Sequence, residues 1–198
     1  MQVVPASRTN EVAEGLISVP VTETTNGRKA RPLLDRAQLT IRLAKPDEAD
    51  AITVETRLIL DGTHHLSPTG FDSASEVEQM MARGKFLLAE KDDRIVGVAY
   101  LEPRLEASRL DVLAVSPSER RTGIGSQLLC AAERLSSSMR CLFMHVQVMN
   151  LHWETIQFCH RRGYVEFGIE SLNRDQPISP HCHIVRMCKQ LDLDRLAF

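Results

Sequence analysis

The chain has 198 residues, a formal net charge of −2, 43% apolar and 25% charged side chains, the make-up of one soluble globular domain with room for an extra arm. That balance excludes the basic footprint that non-specific nucleic-acid binding needs, and no apolar run approaches the roughly 18 residues of a membrane span. The five cysteines, Cys130, Cys141, Cys159, Cys182 and Cys188, are odd in number and form no CxxC pair, which fits free thiols in a reducing, cytoplasmic setting better than a disulfide framework or a zinc site.

The opening stretch "MQVVPASRTN" lacks the basic start and long apolar run of a secretory leader. Residues 1–38 carry Pro, Thr, Asn and Gly without a sustained period and read as an extension. The domain proper is expected over 39–198. "LTIRLA" (39–44) alternates like a half-buried strand. "KPDEADAITVETRLIL" then opens a helix with Pro46 and acidic residues, ending at Asp61-Gly62, before the loop "THHLSPTG". "SASEVEQMMARG" is a second helix, with Ser73 and Glu76 at capping-box spacing and Gly84 as its stop. "KFLLAE" and "IVGVAYL" flank the turn "KDDR" as a hairpin, and "SRLDVLAV" is the next strand. A helix opening at Gly125 runs to about Met139, and "CLFMHVQV" follows as a strand. "WETIQFCHRR" is a helix stopped by Gly163, "YVEFGIE" a strand, and "HIVRMCKQL" the last strand. The order predicts a mixed α/β fold with an antiparallel meander in the middle and a parallel crossover into the fifth strand.

The segment "VSPSERRTGIGSQLL" (115–129) is therefore a strand end, a turn and a helix start. A helix start leaves about four backbone N–H groups without partners and carries roughly half a unit of positive charge. Glycines there let a phosphate come close to the backbone. Arg120, Arg121, Thr122, Gly123, Ile124, Gly125 and Ser126 supply glycines for the approach, arginines for charge and a hydroxyl donor, so the turn suits a small anion such as a pyrophosphate. It is not a Walker loop, since no Lys-Ser/Thr follows, and it lacks the third glycine of a dinucleotide fingerprint.

These residues resemble motif A of the GNAT superfamily, the acyl-CoA-dependent N-acyltransferases, at Val115, Pro117, Arg120, Gly123 and Gly125. "FCHRRGY" and "HIVRMCKQL" resemble the superfamily's later landmarks, so the likeness covers roughly 39–191. The resemblance implies a GNAT-type fold, with a mostly antiparallel mixed sheet splayed between strands 4 and 5 and flanked by helices. It implies acetyl-CoA as co-substrate, with no metal, its pyrophosphate on 120–126 and its pantetheine arm beside the backbones of Leu113 and Val115. It further implies an amine acceptor, small-molecule or protein, no nucleic-acid or membrane partner, and a homodimer as one assembly. Asn150 stands where relatives carry an Asn after the fifth strand. Where relatives have a tyrosine that protonates the departing thiolate, this chain has Cys159. A thiol, of pKa about 8.5, can serve as that acid, and a buried cysteine can equally be a small apolar packing residue. Tyr164 and His160 stand close enough in sequence to substitute for it.

An alkylamine of pKa near 10 must lose a proton before it can attack a thioester, which calls for a base. Relatives place base residues at positions occupied here by Arg109 and Asp111. Arginine cannot act as one, so Asp111 is the candidate, and its two-residue spacing from Leu113 predicts that the two side chains share a face. His145 is a second candidate. His64, His65, His181 and His183 fall in bordering loops, but adjacent histidines point apart and make a poor ligand set. Trp153 and the loop 172–179 are expected to shape the acceptor pocket. An acyl-CoA-binding module without catalysis, on the same scaffold, is the alternative that the missing tyrosine keeps open.

Overall fold

The computed structural model describes residues 39–60, 73–171 and 182–192. The expectations for residues 1–38, His64, His65, His181 and the loop 172–179 lie outside them. Among the described residues seven strands form one sheet in the order β1-β2-β3-β4-β5-β7-β6. They are β1 (Thr40–Leu43), β2 (Lys85–Lys91), β3 (Arg94–Arg104), β4 (Ala107–Val115), β5 (Phe143–Met149), β6 (Val165–Ser171) and β7 (His183–Gln190). The helices are α1 (Ala49–Leu60), α2 (Ala74–Arg83), α3 (Ile124–Ser138) and α4 (Trp153–Arg161). Every neighbouring pair is antiparallel except β4 and β5. The mixed α/β architecture and the parallel crossover are those the sequence predicts. Among the described residues no helix is long and apolar enough to cross a membrane.

Local chemistry accounts for the element ends. The Ser73 hydroxyl accepts from the Glu76 N–H at 3.3 Å and starts α2. Asp92 and Asp93 both take positive φ, 52° and 59°, the two-residue hairpin turn whose twist matches its strands. Gly163, at φ 88°, ends α4 in the left-handed conformation that glycine adopts without strain.

Gly84 stops α2 for a different reason from the one its sequence position suggests. Its backbone is extended (φ −147°), not left-handed, so conformational freedom is not what requires a glycine. A Cβ there would lie 2.4 Å from the Leu101 carbonyl oxygen and 2.6 Å from the Tyr100 hydroxyl. That hydroxyl is itself fixed, donating to the Met80 carbonyl at 3.0 Å. Gly84→Ala is therefore expected to destabilise the fold by about 2–4 kcal/mol, the upper range for an overpacked core site. A lower urea midpoint at unchanged m-value reads this out.

The sheet separates two apolar layers. On one face Ile124, Leu128, Leu129 and Ala132 recur at helical spacing on α3 and pack with Leu87, Ala99, Leu110, Met144 and Met187. Burying each large side chain contributes about 1.5–3 kcal/mol. On the other face Ile52, Ile59, Val77 and Met80 of α1 and α2 pack on Phe86, Val98, Tyr100 and Val112. This second layer covers the β1–β4 half of the sheet. Across the β5-β7-β6 half of the same face, Phe143 and Phe167 are 37% and 47% exposed.

Two irregularities shape the middle of the sheet. Along β4 and β5, pairing runs only from Ala107 opposite Phe143 to Leu110 opposite Val146. Beyond that point Asp111–Val115 and Gln147–Met149 have no partner across the junction, so the sheet opens there. In the β3–β4 register Tyr100 faces Val112 while Leu101 faces Leu110, leaving Asp111 as the extra residue of a bulge. The bulge corrects the expectation that Asp111 and Leu113 share a face. Leu110, Leu113 and Val115 all meet the α3 layer, whereas Val112 and Ala114 meet the α1/α2 layer. One inserted residue shifts the strand's alternation by one and turns Asp111 to the face opposite α3.

Candidate active site

The turn between β4 and α3 lies at the mouth of this opening. Ser116 N–H donates to the Val96 carbonyl on β3 at 2.8 Å. Since backbone groups alternate sides along a strand, the N–H and C=O of Val115 and Leu113 turn toward the gap. Arg120 reaches back with Nε 3.4 Å from the Val115 carbonyl, and the Thr122 hydroxyl donates to the Glu119 carbonyl at 2.6 Å. Two residues on either side of Thr122 bend the chain through positive φ, Arg121 at 65° and Gly123 at 96°. The left-handed conformation at Arg121 costs about 1 kcal/mol, strain of the kind held at functional turns.

Gly123 is the N-cap of α3, and its carbonyl accepts from the Ser126 and Gln127 N–H groups, each at 3.1 Å. Among the described residues the N–H groups of Thr122, Gly123, Ile124 and Gly125 donate to no protein group. No atom lies within 4 Å of where a Gly123 Cβ would stand. A helix N-terminus with several orphan amides, open space above it and two arginines at its edge has the chemistry of a pyrophosphate site.

A third cation stands at this turn, and sequence reasoning missed it. Arg162, just past α4, donates to the Ser126 hydroxyl, and its guanidinium lies 5.6 Å from the centroid of the Phe158 ring. Its place four residues after Phe158 was a weak signal, since nothing local ties it to a residue 36 positions earlier.

On the opposite face, Arg109 Nε stands 2.5 Å from Asp111 Oδ1, and Arg109 Nη2 donates to Glu102 at 3.1 Å. Burial pushes the Asp111 carboxyl above its usual range, against the pull of Arg109. Asp111 is thus a half-desolvated carboxylate at the point where the sheet opens, with a raised proton affinity suited to a base.

Of the other candidates, Cys159 is 5% exposed within the α3-side core, and burial pushes its thiol up to about 11. Tyr164 is buried too, and its hydroxyl donates to Glu133 at 3.0 Å. Burial and then Glu133 hold that phenol far above its usual range. His160 is occupied by Glu166 at 2.9 Å and by the Tyr164 carbonyl at 3.2 Å. Asn150 accepts from the His183 N–H at 3.1 Å through Oδ1 and donates its own N–H to the His183 carbonyl at 2.9 Å. It thereby clamps the β5 side of the gap to β7. Trp153, at the start of α4, is 60% exposed.

A sheet opened between parallel fourth and fifth strands, with orphan amides at the mouth of the opening, can seat an extended ligand that ends in a phosphate. Residues 82–166 match the family model described as an acetyltransferase (GNAT) domain. That segment carries a GNAT acetyltransferase domain, and the fold around it is the one GNAT acetyltransferases share. No curated protein matches the sequence. Among solved structures, ribosomal-protein-alanine N-acetyltransferase from Brucella melitensis is similar at 19% identity and a TM-score of 0.65, covering 76% of this chain and 99% of that one. Ard1 from Thermoplasma volcanium is similar at 19% identity and a TM-score of 0.63, over 78% and 98% of the two chains. A GNAT family acetyltransferase from Elizabethkingia anophelis, solved with acetyl-CoA bound, is similar at 18% identity and a TM-score of 0.61, over 77% and 98%.

Proposed function

We propose that this chain is an N-acetyltransferase that uses acetyl-CoA to acetylate a primary amine by direct attack. The observation that carries the reading is the row of four orphan amides, Thr122 to Gly125, beside the unpaired edges of β4 and β5. In this reading the amides between Arg121 and Ser126 hold the pyrophosphate, with Arg120, Arg121 and Arg162 supplying charge. The backbones of Leu113 and Val115 pair with the pantetheine amides as a further strand would. An N–H of the same stretch, near 113–115, faces the carbonyl oxygen as negative charge develops on it. Asn150 keeps the gap open by fixing the end of β5.

Bound acetyl-CoA supplies an activated acyl group, a thioester. Asp111 takes the acceptor's ammonium proton and passes it to solvent, and the freed nitrogen lone pair forms the new N–C bond. The C–S bond breaks with its electron pair left on sulfur, Asp111 takes the remaining excess proton from nitrogen, and the sulfur gains one. Products are an amide and a free thiol, with one net proton released from the original ammonium. The burial of Cys159 favours its packing role over that of acid to the sulfur.

The test is a melting curve with and without acetyl-CoA, followed by free-thiol release over a broad panel of amines. A shift together with turnover supports the reading, while a shift with no turnover on any amine leaves a binding module instead. Arg162→Ala is expected to weaken acetyl-CoA binding about fivefold, from roughly 1 kcal/mol for an exposed charge-assisted contact. The difference shrinks at 1 M salt, where screening shortens to about 3 Å, and calorimetry at two ionic strengths checks it.

A further inference from the structure

The open sheet face beyond the α1/α2 layer carries a cavity of about 210 Å³ lined by Arg104, Arg109, His145, Gln147, Phe167 and Arg186. Its position is set by register. Arg109 faces His145 across the β4–β5 pairing, one step before that pairing ends, and Gln147 faces Arg186 across β5–β7. The cavity therefore adjoins the point where the sheet opens, on the side of Asp111 and away from the α3 face. Phe167 is the extra residue of a bulge in β6, where Glu166 faces Met187 and Gly168 faces Arg186. The bulge brings its ring inward, 5.2 Å from the His145 ring and 4.9 Å from the Arg186 guanidinium, centroid distances in both cases.

The charges in this cavity do not cancel. Glu102 accepts from Arg109 at 3.1 Å and from Arg104 at 3.3 Å, and Asp111 pairs with Arg109. Arg186 has no carboxylate partner among the described residues and rests on the Phe167 face. Burial and the charge of Arg186 push His145 below its usual range, so at neutral pH the surplus positive charge belongs to the arginines. A weakly hydrated planar cation whose donors meet no carboxylate among the described residues is a receptor for one.

From this placement we infer that the acceptor is a small primary amine bearing a carboxylate, held by Arg186 beside Phe167 while its nitrogen faces Asp111. The inference rests on the transferase reading above and names the substrate class of that same site. At about 210 Å³ the cavity is smaller than the roughly 300–1,000 Å³ of sites for drug-sized ligands, a size that suits a free amino acid better than a folded protein surface. Two strand spacings, about 10 Å, separate the β7 and β4 backbones, a span that the arginine side chain and a short amino acid fill together.

The experiment begins with the acetyl-CoA melting shift, which must be present in the wild type and in Arg186→Met alike. Free-thiol release is then compared for alanine, leucine and glutamate against their α-amides, and for a tetrapeptide beginning with Asp. At least a tenfold higher kcat/KM for the acids is expected. Arg186→Met should bring the ratio near one, chiefly through KM, and Arg186→Lys should restore part of it. Equal use of acids and amides, a preference surviving in Arg186→Met, or use of the peptide in place of the free acids would overturn the inference while the transferase reading stood. If no amine is turned over, binding of N-acetylalanine against N-acetylalaninamide to the CoA-loaded protein decides. Preference for the acid that is lost in Arg186→Met supports the carboxylate site, and its absence overturns it.

Discussion

Gly123→Trp is expected to abolish the stabilisation by acetyl-CoA while the domain still folds. At 100 times Kd a ligand stabilises by about 2.7 kcal/mol, and for a domain of this size each kcal/mol moves the melting temperature roughly 2–4 °C. The wild type should therefore gain about 5–10 °C and the variant close to none. Two features make this a test of the turn and not of the fold. Space is open around Gly123, so a side chain there meets no protein atom within 4 Å at its Cβ. The φ of 96° does impose strain on any other residue, about 1–2 kcal/mol, so a uniform fall of a few degrees without ligand is expected as well. A ligand-induced shift equal to that of the wild type would mean that the pyrophosphate lies elsewhere.

Asp111→Asn should lower kcat by about 10²- to 10⁴-fold, the range for a general base, with the acetyl-CoA melting shift retained. The raised carboxyl pKa fixes two further signs. The base works only when deprotonated, so wild-type activity falls as pH drops through a value above the usual aspartate range, and the variant loses that limb. For stability, a carboxyl whose folded pKa is raised contributes most below its unfolded value, about 3.9, and loses that contribution as pH rises through the folded value. At pH 7 the ionised Asp111 is thus a burden on the fold. Asparagine removes the charge, Glu102 still pairs with Arg109, and the urea midpoint of the variant should equal or exceed that of the wild type. A variant that keeps full turnover would move the base elsewhere.

The order of strands and helices was legible in the chain because each element carries its own period and end signals. Ser73 capping α2, Asp92-Asp93 turning the hairpin and Gly163 closing α4 all act within a few residues. The glycines and arginines before α3 were legible for the same reason, since orphan amides are a property of any helix start. Even so, a local signal can point to the right residue for a different cause. Gly84 reads in the sequence as the stop of α2, and its glycine is demanded by Tyr100 and Leu101, packed against it from β3.

By itself, then, the sequence determined the elements, their order, the parallel crossover and the glycine-bearing turn that opens α3. Tertiary structure alone decided where β4 parts from β5, that Asp111 is the surplus residue of a bulge, that Arg162 meets Ser126, and that Phe167 and Arg186 build a cationic pocket beside His145. Hydrophobic period and capping depend on neighbours along the chain, which the sequence spells out. Register, bulges and charge surplus depend on which strand lies alongside and how far two ladders stay in step, and residues dozens of positions apart settle that together.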